Sequence, residues 1–397
     1  MMNEATIRFI GEHREDDVRT LALQARRYPD VDMPWALGQI QGWQTARRKL
    51  PSWASMQGII YPPHLSMEQC SSELTAQYKC GIVETMPVGS HETLIDLTGG
   101  FGVDFSFMAT RAKRAIYVER MEHLCETALH NFEVLGLKHV QVIHGDAQAV
   151  LRGLDTSLAS TLLYLDPARR DEKASRTYAI ADCSPNVLEL KELLLEKAHH
   201  ILIKLSPMLD WHKAMGDLGK QVSQIHIVSV AGECKELLVL MDRNHEGEPS
   251  IHCVNDNQIL IFQPSQEVEP ILLDGDEGGA YLYEPNASIM KAGCYGLLTK
   301  RYPVKAVARD SHLFVSDTLV NDFPGRRFHV KAVSTMNKKE LNRALAGITR
   351  ANIATRNFPL SPQQLRARLS LVDGGETYIF GTTTTRGQHL IFLCEKL

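Results

Sequence analysis

The 397-residue chain contains no run of about eighteen apolar residues, so no segment of it reads as a membrane-spanning helix. Its opening residues, Met-Met-Asn-Glu-Ala-Thr, lack the basic stretch and apolar run of a secretory signal. There is no Cys-x-x-Cys pair: Cys70, Cys80, Cys125, Cys183, Cys234, Cys253, Cys294 and Cys394 are scattered. That spacing argues against a disulfide framework or a zinc ribbon and fits reduced thiols in a cytoplasmic protein. No His/Glu ligand spacing is visible, so no metal is expected. There is also no excess of positive charge; the net charge is −4, and any nucleic-acid partner must be held by local basic patches. Internal repeats and low-complexity tracts are missing as well. What remains is a 44% hydrophobic chain long enough for two or three domains with substantial cores.

The most informative segment is 94–104, Leu-Ile-Asp-Leu-Thr-Gly-Gly-Phe-Gly-Val-Asp. Leu94, Ile95 and Leu97 make a short buried strand that breaks into a turn at Gly99, Gly100 and Gly102. Glycines there let the backbone turn sharply and approach a ligand without Cβ interference. The residues that follow (105–112) read as a helix. A second apolar strand, 115–118, ends on Glu119, about 17 residues after Gly102, where an acid accepts hydrogen bonds from ribose hydroxyls. A helix (121–135) and a third strand (140–143) lead to Gly145-Asp146-Ala147. A fourth strand, 161–165, ends in Asp166-Pro167-Ala168-Arg169-Arg170, and a fifth, 201–205, ends in Ser206-Pro207. Each Asp taken singly reads as a helix cap or turn residue. Five polar strand ends in register along alternating strand–helix units point instead to a ligand cleft beyond the carboxyl edge of a parallel sheet.

Phe105 stands where a dinucleotide fingerprint requires Gly or Ala. The apolar runs 225–230 and 237–241 are too close for a parallel crossover, so the sheet ends in an antiparallel hairpin. With these features residues 60–243 resemble the class I S-adenosylmethionine-dependent methyltransferases. The resemblance implies a Rossmann-like α/β fold with a seven-stranded methyltransferase sheet and a terminal antiparallel hairpin. It also implies S-adenosylmethionine as cofactor. Asp96 with the loop Thr98, Gly99, Gly100, Phe101, Gly102 and Asp104 would hold its methionine moiety, Glu119 with Arg120 its ribose, and Asp146 with Ala147 its adenine.

Upstream, residues 1–60 carry helical periodicity, with a basic cluster at Arg47-Arg48-Lys49. A polar helix expected from Ser66 to about Cys80 begins with a Ser66–Gln69 capping-box pattern. It offers Gln69, Ser72 and Lys79 to the methionine end of the cofactor; a solvated helix face is the plainer alternative. Residues 243–256 read as a linker or a long turn. The remainder is an α+β pattern, with a basic stretch holding Lys338, Lys339, Arg343, Arg350, Arg356, Arg366 and Arg368 around Phe358. Such a face neutralises phosphates and stacks a base, unless it is merely solvated. Residues 351–396 resemble the THUMP-like module found behind bacterial methyltransferases of this type, and 283–293 resemble the small segment that precedes it. The expected domains are therefore an N-terminal helical region (1–85), the methyltransferase domain (86–243), a ferredoxin-like α+β segment (257–330) and a THUMP-like module (331–397).

Asp166, Pro167 and Arg169 are the expected catalytic residues. A proline after the strand frees neighbouring carbonyls from ladder pairing, and such turns accept the hydrogens of an exocyclic amine. Ala168 and Arg169 replace the second proline and aromatic of adenine-amine enzymes. The turn looks more like that of certain rRNA guanine-N2 enzymes, in which arginine engages phosphate or guanine O6/N7. Arg170, Arg343, Arg350 and Arg356 are the expected substrate-binding residues. Pyrimidine C5 methylation needs a cysteine nucleophile, and the matching position is Ser206, with Cys183 and Cys234 on nearby loops. The expected function is methylation of a base nitrogen of rRNA or tRNA. The alternatives are a small-molecule or protein acceptor, and an RNA-binding protein that keeps the fold without the chemistry.

Overall fold

A computed structural model describes residues 3–155, 158–169, 179–275 and 278–397. Arg170 lies outside the described residues, and Arg169 is described by its backbone alone. The chain divides into two compact units: residues 1–225 with 236–247, and residues 226–235 with 248–397. Among the described residues no helix is long and apolar enough to cross a membrane.

The first unit opens with helices whose starts are set by side-chain caps. Asn3, Asp17 and Asp32 accept from the N–H groups of Thr6, Thr20 and Trp35 at the heads of Glu4–His13, Val18–Leu23 and Met33–Lys49. Each satisfies a donor the helix leaves open. Phe9, Leu21, Met33, Ala36 and Ile40 pack as one cluster. A second cluster, with Leu50, Trp53, Tyr61, Met67 and Ala76, takes in Phe101 and Val103 from the glycine turn, so the helical region packs directly on that turn. The helix expected from Ser66 to Cys80 is two helices, His64–Gln69 and Glu73–Thr85. Pro63 takes the cap position of the first, Ser66 lies inside it, and Ser72 caps the second.

Five parallel strands form the centre of this unit: Thr93–Asp96 (β1), Arg114–Glu119 (β2), Val140–His144 (β3), Thr161–Leu165 (β4) and His200–Leu205 (β5). Val222–Val230 (β6) and Glu233–Asp242 (β7) follow, giving the order β3-β2-β1-β4-β5-β7-β6 with β7 antiparallel to β5. The turn between β6 and β7 is only Ala231-Gly232, both at positive φ (52° and 78°), as a tight hairpin requires. Residues 226–235 of that hairpin belong to the second unit. Strands β1, β2, β4 and β5 are buried almost throughout, which is why they read as continuous apolar runs. The strand order runs from β1 outward to β3 and returns to β4 beside β1, so the chain leaves the carboxyl ends of these two neighbouring strands on opposite sides, the place where an open α/β sheet forms its crevice.

In the second unit Ser250–Asn255 (β8) pairs antiparallel with Gln258–Phe262 (β9). The stretch expected to be a linker thus ends in a strand, with Ile251, Cys253 and Val254 buried. Tyr281–Pro285 (β10), Phe314–Ser316 (β11), Gly325–Thr335 (β12), Arg350–Arg356 (β13), Val372–Thr383 (β14) and His389–Lys396 (β15) form one sheet in the order β11-β10-β12-β15-β14-β13. The two-residue strand Lys305–Ala306 extends it beyond β11. β13 runs parallel to β14 and the other neighbours are antiparallel. The expected boundary at 330/331 falls inside β12, and Leu282, Phe328, Phe380 and Phe392 share one cluster. The two expected C-terminal segments therefore fold around a common core.

Candidate active site at the crevice between β1 and β4

Thr98 joins the two strand ends that flank the crevice. Its N–H donates to Asp96 Oδ1 at 2.8 Å, and its Oγ1 accepts from the Asp166 N–H at 2.6 Å. Beyond it the backbone passes through left-handed conformations at Gly100 (φ 59°) and Gly102 (φ 79°). Gly99 answers a different constraint: a Cβ there would lie 2.3 Å from the ring of Tyr117. The loop is pinned from β2. Glu119 accepts from the N–H groups of Gly100 and Met121, both at 2.8 Å, and the Tyr117 hydroxyl donates to Gly100 O at 2.5 Å. Phe101 packs edge-on against Trp53, with centroids 5.0 Å apart. Phe105 is fully buried between Tyr117 and Phe132. A bulky ring thus fills the space that a dinucleotide fingerprint keeps for a small residue.

Behind the loop lies a buried network of charge. Lys79 is fully enclosed; its Nζ donates to Glu236 at 2.6 and 2.8 Å and lies 3.2 Å from Asp104 Oδ1. Asp104 Oδ2 accepts from Tyr164 at 2.7 Å and Ser71 at 2.8 Å. Lys204, near the end of β5, reaches Asp166 Oδ2 at 2.6 Å and Asp104 Oδ2 at 3.7 Å. Burial alone would raise the Asp104 pKa, but Lys79, then Lys204, then the Tyr164 and Ser71 hydroxyls bring it down to about 2. Lys204 is held above its ordinary value because Asp166, Asp104 and Glu236 outweigh the desolvation that opposes it. Asp96 goes the other way. Burial pushes its carboxyl well above the usual range, the Thr98 N–H opposes this, and Asp104 and Asp166 add to the rise.

The structure thus gathers Asp96, Thr98, Gly99, Gly100, Gly102, Asp104, Glu119 and Asp166 at the ends of β1, β2 and β4, while Lys79, expected at the cofactor, is fully enclosed behind the loop on Glu236 and Asp104. It also adds Ser71, Tyr164, Lys204 and Glu236, which sequence reasoning missed. Tyr164 and Lys204 carried a legible signal, a polar group within an apolar strand; Glu236 was read only as part of a hairpin turn. Ser72 serves as a helix cap, while its neighbour Ser71 is the residue that reaches Asp104. Gln69 is exposed at the end of its helix. Asp146 is an exposed cap that accepts from the N–H groups of Gln148 and Ala149 at 3.0 Å, with Ala147 buried beside it. Arg120 is exposed, and its carbonyl lies 3.0 Å from His144 Nε2. Pro167 is buried after Asp166, and Ala168–Arg169 pairs with Cys183–Ser184 in a short ladder. Cys183 is buried. In the second unit Arg343 is exposed, and Arg350 donates to the Asp373 carbonyl at 3.0 and 3.2 Å. Arg356 is engaged by the buried Glu284 at 2.8 Å, and Glu284 also holds Arg326. Arg366 pairs with Asp373.

These residues fit S-adenosylmethionine. Asp96 and Glu119 keep carboxyl lone pairs beyond the backbone N–H groups they already serve, as a ligand with an ammonium group and ribose hydroxyls would require. Apart from its ion-pair contact with Lys79, the buried Asp104 Oδ1 has no hydrogen-bond partner. The strand order β3-β2-β1-β4-β5-β7-β6, with a glycine turn after β1 and acids at successive strand ends, defines a class I methyltransferase fold.

Comparison with known proteins agrees. Residues 281–324 match a ferredoxin-like domain family and residues 325–396 a THUMP domain-like family. A crystal structure of a candidate methyltransferase from Porphyromonas gingivalis W83 aligns over 100% of both chains at 31% identity, with a TM-score of 0.85. An rRNA methylase from Streptococcus thermophilus covers 42% of this chain and 93% of its own at 12% identity, with a TM-score of 0.30. That score is too low to bear on function. No curated protein matches the chain. The chain belongs to the family of the Porphyromonas protein, S-adenosylmethionine-dependent class I methyltransferases that carry a ferredoxin-like segment and a THUMP-like module after the methyltransferase fold.

Proposed function

We propose that the chain methylates a base nitrogen of rRNA or tRNA, with guanine N2 favoured. S-adenosylmethionine, when bound, supplies the electrophilic methyl group. Asp96 and the loop 98–102 take its amino-acid end, Glu119 flanked by Arg120 the ribose, and Asp146 with Ala147 the adenine edge. The observation that carries the reading is the placement of Asp166. Thr98 fixes its backbone and Lys204 holds its Oδ2, so Oδ1 remains to accept the hydrogens of an exocyclic amine. Pro167 keeps the chain extended there, and Arg169 and Arg170 follow to meet phosphate or guanine. Most of the catalytic effect is positional: the amine is aligned and its hydrogens are bound where charge develops. The RNA part of the reading is supported by the THUMP domain-like match and by the exposed Lys338, Lys339, Arg343, Arg350 and Arg368. Ser206 after β5, with Cys183 buried, disfavours C5 addition.

The test uses methyl-labelled S-adenosylmethionine with unmodified rRNA or tRNA, followed by nucleoside mass spectrometry. N2-methylguanosine that is lost in Asp166→Ala is the expected result. Label that enters only protein or small molecules overturns the RNA assignment. Failure of S-adenosylhomocysteine to bind overturns the cofactor assignment.

A further inference from the structure

The opposite end of β5 holds a second cluster of ligating side chains. His200 opens β5 directly across from Asp242, the last residue of β7, and His199 precedes it. Nε2 of His199 lies 3.2 Å from Asp242 Oδ1, and Nε2 of His200 lies 3.6 Å from Oδ2. One ligating atom from each of the three residues falls within 4.8 Å of the others. Zinc bonds of about 2.1 Å at tetrahedral angles put ligand atoms about 3.4 Å apart; the spacings of 3.2 and 3.6 Å run to different oxygens of Asp242, so a small turn of the carboxylate brings one oxygen within reach of both rings.

A second observation comes from His200 itself. The residue is only 5% exposed, yet its Nδ1 has no hydrogen-bond partner, and at 3.6 Å its Nε2 is too far from Asp242 for a hydrogen bond. An imidazole nitrogen left without a hydrogen bond in a buried residue is costly, and a metal bond at Nε2 would engage that nitrogen, while Nδ1 stays unpaired either way. The Asn244 N–H donates to Asp242 Oδ1 at 2.8 Å and orients the carboxylate. The side chains of His199 and Asp242 are 25% and 29% exposed, enough to admit an ion and a water.

We propose that His199, His200 and Asp242 bind one zinc ion, with water completing a tetrahedral set. The site lies about 13 Å along β5 from Lys204, so it fastens β5 to β7 and takes no part in methyl transfer. The untagged full-length protein, stripped with a chelator, is titrated with Co2+ as a spectroscopic stand-in and then with Zn2+ by calorimetry. One equivalent of tetrahedral Co2+ without thiolate charge-transfer bands, displaced by Zn2+, is expected. His199→Ala and Asp242→Asn should each weaken binding at least about tenfold with an unchanged circular dichroism spectrum. Two surface-accessible variants guard against one failing to fold. Absence of binding, binding unaltered in both variants, or a thiolate band placing the metal on cysteines overturns the proposal.

Discussion

Replacing Lys79 with Met removes one ammonium while keeping the length and apolar stem of the side chain. In the native protein that ammonium is fully buried, 2.6 Å from Glu236 and 3.2 Å from Asp104. Without it, two buried carboxylates face Lys204 as the remaining nearby cation. Breaking a buried pair by removing one partner costs about 3–5 kcal/mol, because the other charge stays desolvated and unpaired. Adding Glu236→Gln removes that orphaned charge and keeps an acceptor. Asp104 retains Lys204, Tyr164 and Ser71, so the double variant should regain about 2 kcal/mol. Urea unfolding followed by tryptophan fluorescence is the appropriate assay. All four tryptophans, Trp35, Trp43, Trp53 and Trp211, lie in the first unit, so the signal reports that unit alone. A Lys79→Met loss below about 1 kcal/mol at unchanged m, or a double variant no more stable than the single, would refute the reasoning.

Asp104 sets an acid limit. Its folded pKa of about 2 lies below the ordinary 3.8, so its contribution of about 2 kcal/mol is complete above the higher value and disappears as pH falls through the lower. The stability gap between wild type and Asp104→Asn should therefore shrink on acidification, and a gap that is constant with pH counts against it. Asp96 behaves in the opposite sense: its raised pKa means that the ammonium of a ligand's amino-acid end beside it drives proton release. Affinity for S-adenosylhomocysteine should rise with pH, and binding heats should differ between buffers of unlike ionisation enthalpy; equal heats would exclude it. Gly99→Ala drives a methyl group into the Tyr117 ring and should cost about 1–3 kcal/mol in the same fluorescence assay, with cofactor affinity falling alongside. Arg343→Glu with Arg350→Glu should weaken RNA binding and flatten its salt dependence. Arg356→Ala should instead destabilise the second unit by about 1.5–3 kcal/mol through the loss at Glu284, as measured by calorimetry.

The turn at 96–104 was legible because its demands are local. Left-handed φ angles at Gly100 and Gly102 and a close ring beside Gly99 restrict residue type over a few positions. The terminal hairpin was legible from loop length alone. The Ser66 helix was misread because a cap pattern is only four residues long, and Pro63 and Ser72 set the actual helix starts. The stretch 243–256 holds the unit boundary at 247/248, but its end is strand β8, which takes its pairing from β9 and was hidden by the polar flank around Ile251, Cys253 and Val254. Arg356 illustrates the limit of charge counting: in sequence it joins a basic run, while in space Glu284, 72 residues away, holds it.

By itself, the sequence determined the strand–helix alternation, the glycine turn and the acids at the strand ends, since each follows from backbone sterics or periodicity over short spans. Tertiary structure alone decided which ionisable groups face one another. Lys79 with Glu236, Lys204 with Asp166, and His199 and His200 with Asp242 are brought together by strand order and packing. Interactions between charges depend on distance and burial, and sequence separation encodes neither.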